Sequence, residues 1–250
     1  MLVMGILNVT PDSFADGGRH NELGAAVNHG LQMIAEGVDI IDIGGESTRP
    51  GAERVSEEVE IARTIPVITE LAKHGVAISI DTMRASTAEA AINAGASIIN
   101  DVSGGLSDSQ MLQTAARLNV AYIAMHWRGH SKDMNSKAIY ADVVNDVLAE
   151  LNERIEAALD SGIAKDKLII DPGIGFAKNA EHNWAIIDSI DRFVALGYPV
   201  LVGASRKRFL GADSPDEREA ATIELTKRLG TTGVWAVRVH SVKPHKEVLS

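Results

Sequence analysis

The sequence predicts an α/β protein, a TIM (β/α)8 barrel that forms one domain over residues 1–250. Short apolar runs rich in β-branched residues recur eight times along the chain, and segments with apolar residues at helical spacing separate them. Continuous apolar strands that alternate with helices are typical of a parallel sheet covered by helices, and eight repeats in 250 residues favour closure into a barrel. An open doubly wound sheet is the alternative, but no Gly-x-Gly-x-x-Gly fingerprint follows the first strand.

The predicted strands fall in chain order at residues 3–9, 39–43, 76–80, 97–102, 121–125, 168–170, 199–202 and 234–239. Helical spacing between them is clearest at residues 25–34, 55–71 and 143–159. The first apolar segment lacks a preceding basic region and a following small-residue cleavage site, so it is predicted to be a strand and not a signal peptide. Residues 241–250 follow the last strand and predict a shortened or absent C-terminal helix.

Composition and charge exclude several classes of protein. Hydrophobic residues make up 45% and charged residues 23% of the chain, which is the balance of an ordinary globular protein. No apolar stretch approaches the length of a membrane span. The net charge of −10 argues against general nucleic-acid binding, which needs an extended basic face. The absence of cysteine favours a cytoplasmic location.

Polar residues cluster where the predicted strands end. The set comprises Asn8, Asp42, Glu46, Asp81, Asn100, Asp101, His126, Asp171, Ser205, Arg206, Lys207, Arg238 and His240. In a parallel barrel the carboxyl ends of all strands meet at one mouth, where such enzymes bind their ligands. Cations at that mouth are costly without an anionic or polar partner, so the sequence predicts a site for a small anionic or polar ligand there.

Each of these residues also has a purely structural interpretation. Asp81 and Asp101 taken singly resemble helix caps, and Asp42 could bond to amides of its own loop. His126 is more typical of a packed, hydrogen-bonded histidine than of a catalyst. The acidic residues at 57–60 are expected to form a solvated helix face. The convergence of the whole set on one mouth is what favours a functional site.

The wording of the motifs is similar to that of the dihydropteroate synthases. The motifs are NVTPDSF at residues 8–14, DIGGESTRPG at 42–51, SIDT at 79–82, INDVSG at 99–104, DPGIGF at 171–176 and SRK at 205–207. Six motifs in one order make the resemblance specific, and it extends from the first strand to residue 240. It implies a TIM-barrel transferase of folate biosynthesis, inhibited by sulfonamides, that joins p-aminobenzoate to 6-hydroxymethyl-7,8-dihydropterin pyrophosphate and releases pyrophosphate with the help of Mg²⁺. It also implies a homodimer.

The resemblance assigns residues to each ligand. The pterin pocket would contain Asp81, Asn100, Val102, Met125, Asp171, Phe176 and Lys207. The pyrophosphate contacts would be Asn8, Thr48, Arg49, Arg238 and His240. The p-aminobenzoate contacts would be Phe14, Thr48, Pro50, Lys207 and Arg208. The catalytic set would be Asp81, Lys207, Arg238 and His240, with Asn8 as the metal ligand and Asp16 as a further candidate. Residues 10–20 and 47–52 resemble loops that close over the ligands.

The chemistry of these side chains agrees with that assignment. A dihydropterin edge needs paired donors and acceptors: Asp171 can accept two hydrogen bonds, Asn100 can donate and accept, and Lys207 can donate. Loss of pyrophosphate leaves positive charge on the pterin, which an anionic Asp81 would stabilise while Arg238 holds the leaving anion. The amine of p-aminobenzoate is neutral at pH 7 and needs no strong base.

Three other functions are alternatives to this one. A catalytically silent pterin-binding paralogue would be expected to have damaged lid motifs or to lack the Arg238 and His240 pair. A pterin-binding methyltransferase would lack both that pair and the STRPG lid motif. A Schiff-base aldolase built on Lys207 explains the neighbouring arginines less well. One departure from the family pattern, Ala15 in place of a frequent serine, is mild.

Overall fold

The computed structural model describes residues 1–10, 18–46, 54–130 and 132–250, and side chains at 18–22 and 135 are left aside. Its strands are β1 (Leu2–Asn8), β2 (Ile40–Gly44), β3 (Ala77–Asp81), β4 (Ile98–Asp101), β5 (Ala121–Met125), β6 (Leu168–Asp171), β7 (Leu201–Val202) and β8 (Ala236–Val239). Each begins and ends within two residues of its predicted position. The apolar runs therefore locate the strands, because strands buried on both faces must be apolar throughout.

The eight strands are joined in the order β6-β5-β4-β3-β2-β1-β8-β7, and every pairing is parallel. An isolated parallel bridge between Ile170 and Val200 connects the two ends of this order. The Ile170 amide also donates to the Pro199 carbonyl at 2.9 Å. The sheet thus returns on itself, and the predicted (β/α)8 barrel is confirmed in preference to the open sheet.

The described helices lie between successive strands, except the last, which follows β8. They are α1 (Gly18–Ala35), α2 (Glu57–Leu71), α3 (Ala85–Asn93), α4 (Met111–Leu118), α5 (Val143–Asp160), α6 (Ala180–Asp188), α7 (Ile190–Val194), α8 (Arg218–Leu229) and α9 (Lys243–Val248). The last helix has six residues. Of the helices that the structure describes, none has the length and apolar character that crossing a membrane requires.

The barrel has two apolar layers. The larger layer lies between the sheet and the helices. The smaller layer fills the barrel interior and comprises Met4, Ile40, Ile98, Ile123, Ile169, Leu201 and Ala236. Each large side chain in it stabilises the fold by roughly 1.5–3 kcal/mol. Because this layer occupies the lower part of the strands, the polar side chains at the strand ends lie at the opposite, ligand-binding face.

Candidate active site

A cluster of charged side chains lies at the centre of the barrel mouth. The Arg238 guanidinium donates from Nε to Asp42 Oδ2 at 2.6 Å and from Nη2 to Asp81 Oδ2 at 2.7 Å. The Asn100 amide donates to the same Asp42 oxygen at 3.1 Å. Four different strands supply these residues, so the barrel brings together side chains that are far apart in sequence. Arg238 crosses the mouth and orients both carboxylates.

Asp42 and Asp81 differ from their structural interpretations. Asp42 is fully buried, and its described partners are the side chains of Arg238 and Asn100, not the amides of its own loop. Asp81 does not cap the following helix, because the Ala85 amide at its start donates to Asp108. Burial raises the pKa of Asp81, and the Arg238 guanidinium opposes that rise.

A second group of residues surrounds the ends of β6 and β7. Asp171 Oδ1 accepts a hydrogen bond from the Gly173 amide at 2.7 Å. The Lys207 ammonium donates to the Ile174 carbonyl and lies 4.6 Å from the centre of the Phe176 ring. Burial lowers the pKa of Lys207 to about 8 although the nearby Asp171 carboxylate acts in the other direction. An acid and a cation therefore lie side by side with an aromatic wall.

Gly203 lies between the two groups of polar side chains. A Cβ atom at Gly203 would lie 3.9 Å from Asp171 Oδ2 and 3.9 Å from the Arg238 Cβ. Asp171 and Arg238 thus flank the same short stretch of backbone at the end of β7. The first and second groups of polar side chains are therefore neighbours at the mouth, and a flat polar molecule could contact both.

The SRK motif places its three side chains in different directions. Ser205 Oγ lies 2.9 Å from His240 Nδ1 and accepts from the His240 amide at 3.2 Å. Arg206 has a left-handed backbone, with φ of 56°, and its Nε donates to Glu219 at 2.6 Å. Arg206 is thereby held on the α8 side while Lys207 faces the mouth. Arg208 begins a short 3-10 helix and is exposed.

Apolar residues complete the described part of the pocket. Val102 and Met125 are buried at the ends of β4 and β5, and Phe176 is half-buried beneath the Lys207 side chain. The predicted contacts Phe14, Asp16, Thr48, Arg49 and Pro50, together with Ala15, lie outside the described residues.

Other charged residues near the mouth have structural roles. Asp101 accepts hydrogen bonds from the Ser103 amide, the Gly105 amide and the Tyr122 hydroxyl, all at 2.7–2.8 Å, and so fixes its own loop. Glu60 is 1% exposed and pairs with Arg84, so the expectation of a solvated face at residues 57–60 is wrong for this residue.

His126 is packed and hydrogen-bonded, as its structural interpretation predicts. Its Nε2 lies 2.9 Å from Glu150, and its Nδ1 lies 2.9 Å from the ammonium of Lys178. The sequence did not indicate a role for Lys178. A lone lysine after an apolar loop looks solvated, and only the fold reveals that this one is buried.

The described residues can be matched with the oxygen ligands that Mg²⁺ prefers. Within residues 1–10, 18–46, 54–130 and 132–250 no group of three His, Cys, Asp or Glu side chains could hold a metal ion. Asn8, half-buried at the end of β1 opposite Gly44, offers one amide oxygen. Mg²⁺ commonly takes one or two protein oxygens and completes its shell with water and substrate phosphates. Asn8 therefore fits such an ion.

Comparisons with known proteins give the class first. A family profile described as "Pterin binding enzyme" matches residues 4–240. A curated dihydropteroate synthase of Mycobacterium leprae is 48% identical over 257 aligned positions, which cover 99% of this chain and 90% of the relative.

Two solved structures give the same result. The Xanthomonas albilineans dihydropteroate synthase with 4-aminobenzoic acid superposes with a TM-score of 0.93 at 43% identity, covering 99% of this chain and 90% of the other. The Yersinia pestis dihydropteroate synthase in a sulfonamide drug complex has a TM-score of 0.93 at 40% identity, covering 99% and 91%. This barrel is a pterin-binding enzyme. More narrowly, the chain belongs to the dihydropteroate synthase family and has that family's transferase activity.

Proposed function

We propose that the enzyme joins p-aminobenzoate to 6-hydroxymethyl-7,8-dihydropterin pyrophosphate with the residues at the mouth divided into a pterin edge and an anion edge. The observation that carries this proposal is the arrangement of Asp171 and Lys207 around the end of β7, next to Arg238. Asp171 accepts from the amino and ring N–H groups of the pterin, Lys207 donates to its carbonyl, and Asn100 serves the remaining edge. Val102, Met125 and Phe176 supply apolar walls.

Asp81 stabilises the charge that develops when the carbon–oxygen bond to pyrophosphate breaks. The leaving group takes the electron pair, and the pterin is left with a delocalised positive charge. The Arg238 guanidinium, 2.7 Å from Asp81, favours the ionised carboxylate and fixes its orientation. Preorganised charges of this kind are typically worth roughly 3–4 kcal/mol in a transition state. The neutral amine of p-aminobenzoate then forms the new carbon–nitrogen bond and loses a proton.

Arg238 and His240 receive the departing pyrophosphate, with Asn8 across the mouth. Ser205 orients the His240 ring through its hydroxyl, 2.9 Å from Nδ1. Mg²⁺, held in part by Asn8, would neutralise charge on the pyrophosphate oxygens. Thr48 and Arg49 are predicted to join this edge.

Lys207 and Arg208 are proposed to meet p-aminobenzoate, together with Phe14, Thr48 and Pro50. Sulfonamides, which imitate p-aminobenzoate, should compete for the same place. The resident Mg²⁺, the homodimer and the cytoplasmic location remain predictions.

The proposal is tested by two binding measurements beside an activity assay. Purified protein with both substrates and Mg²⁺ should release dihydropteroate and pyrophosphate in equal amounts. Lys207→Met should weaken binding of the dihydropterin and of its pyrophosphate ester alike, by about tenfold or more, because a charge-assisted hydrogen bond is lost. His240→Gln should weaken only the ester, because the unesterified pterin carries no pyrophosphate.

The outcomes separate the alternatives. Tight pterin binding without product would support the silent paralogue. Equal losses of both ligands in the His240→Gln variant would contradict the division into two edges. Arg238→Ala is a poorer test, because it would leave Asp42 and Asp81 without their shared cation.

A further inference from the structure

A buried lysine lies directly beneath the loop that carries Asp171 and Phe176. Lys178 is 8% exposed, and its ammonium has three acceptors within hydrogen-bond distance. These are His126 Nδ1 at 2.9 Å, the Gly173 carbonyl at 3.0 Å and the Phe176 carbonyl at 3.1 Å. An ammonium has three N–H donors, so this geometry uses its full capacity. Such complete satisfaction is what a buried cation requires.

Lys178 and Glu150 together fix the tautomer of His126. Burial lowers the pKa of Lys178 to about 7. In its ammonium form the side chain can only donate, so His126 Nδ1 accepts and the ring proton is on Nε2. That proton points to Glu150 Oε2 at 2.9 Å, and Arg128 donates from Nε to the same oxygen at 3.0 Å. Burial, with help from the Lys178 charge, lowers the pKa of His126 to about 4, so the ring stays neutral. The result is a continuous chain of hydrogen bonds from Arg128 to Lys178.

Lys178 reaches Asp171 through a single residue. Gly173 accepts from the ammonium with its carbonyl and donates with its amide to Asp171 Oδ1 at 2.7 Å. Its backbone is left-handed, with φ of 69°, and a Cβ there would lie 2.4 Å from the His126 carbonyl. The loop is therefore pressed against His126 at the point where Asp171 is oriented. The Phe176 amide also donates to the Gly173 carbonyl, at 3.0 Å.

The same loop contains a strained residue that the ammonium helps to hold. Ala177 has a left-handed backbone, with φ of 49°, which a residue with a side chain adopts only when its surroundings enforce it. The Lys178 ammonium donates to the carbonyls of Gly173 and Phe176 and so holds both ends of this turn close together. A methionine of similar length would fill the space without the desolvation cost of a charge. The charge is therefore better explained by the orientation of the loop than by packing.

We infer that Lys178 is a positioning residue for pterin recognition, acting through Gly173 on the Asp171 carboxylate and through the Phe176 carbonyl on the aromatic wall. The inference rests on the proposed function, because it assumes that Asp171 binds the pterin. Lys178 itself does not touch the substrate. Its loss leaves the barrel intact but lets the Asp171 carboxylate rotate away from the ligand edge.

A double-mutant cycle distinguishes positioning from a purely structural role. The dissociation constant of 6-hydroxymethyl-7,8-dihydropterin is measured by calorimetry for the wild type, Lys178→Met, Asp171→Asn and the double variant. Lys178→Met should weaken binding by about tenfold, and by less than about threefold when Asp171 is already asparagine. Equal factors in both backgrounds would overturn the inference. Lys167→Met, which removes a lysine that donates to the Asn119 carbonyl, is the matched control and should bind normally.

A second pair of variants covers the case in which Lys178→Met does not fold. His126→Asn places an amide oxygen near the position of Nδ1 and should keep the pterin affinity within about threefold, whereas His126→Leu removes the acceptor and should lower it about tenfold. Similar affinities for the two variants would contradict the inference. A wild type that fails to bind the dihydropterin would overturn the proposed function and the inference with it. Normal binding by both the wild type and Lys178→Met would overturn the inference alone.

Discussion

Asp42 shows how two buried charges at the barrel mouth depend on each other. It is fully buried, and one of its oxygens accepts from both Arg238 and Asn100. Its other oxygen, Oδ1, has no hydrogen-bond partner among the described residues. A buried carboxylate is expensive unless it is paired, so Asp42 and Arg238 depend on each other. Through Arg238, Asp42 also fixes the position of Asp81.

Asp42→Asn should lower the free energy of unfolding by about 1–3 kcal/mol, because an acceptor remains but the charge opposite Arg238 is lost. Urea denaturation measures this change. The matched control is Asp188→Asn, which breaks an exposed pair with Arg228 and should cost less than about 1 kcal/mol. Equal, small effects of the two substitutions would show that the central ion pair contributes little to stability.

At the scale of elements, Arg84 joins α2 and β2 to the start of α3. Its guanidinium pairs with Glu60 of α2, with Glu46 after β2 at 3.0 Å, and with the Val55 carbonyl at 2.5 Å. Glu46 also accepts from Arg54 at 3.0 Å. One half-buried cation thus holds together residues on both sides of the segment 47–53.

Arg84→Met should destabilise the fold by about 3–5 kcal/mol, because it leaves the buried Glu60 carboxylate without its cation. Thermal and urea unfolding should both detect the loss. Arg117→Met is the control. It removes a surface ion pair with Glu89 of α3 and should lower the free energy of unfolding by at most about 1 kcal/mol. A loss for Arg84→Met no larger than that of the control would contradict the role of the cluster.

These elements also show what a sequence can and cannot predict. The apolar runs locate the strands to within two residues, because strands buried on both faces are apolar throughout. The sequence wrongly predicts a solvated Glu60, because its neighbours in the helix are solvated and its partner Arg84 lies 24 residues away. Asp42 and Arg238 are 196 residues apart, so their pairing exists only in the closed barrel. Lys178 carries no local signal, because its acceptors are mostly backbone carbonyls.

At the scale of the whole molecule, the barrel is closed unevenly. β1 is seven residues long and pairs with β2 over five positions, whereas β7 has two residues and meets β6 at the bridge of Ile170 with Val200. The proposed pterin edge lies on this seam, with Asp171 on one side and Lys207 on the other. The eight repeats of the sequence predict closure but not where it is weakest, because all eight apolar runs look alike.

Hydrogen exchange should reveal this seam and its link to ligand binding. Without ligand, amides at residues 200–203 should exchange at least about tenfold faster than those at residues 3–7, because fewer ladder hydrogen bonds protect them. Added dihydropterin should slow exchange at residues 170–176 and 199–207, since the ring connects Asp171 to Lys207 across the seam. Residues 3–7 serve as the internal control and should be unaffected. Equal exchange of the two regions without ligand would contradict the weak seam. Protection confined to one side of it would mean that the pterin does not connect β6 to β7.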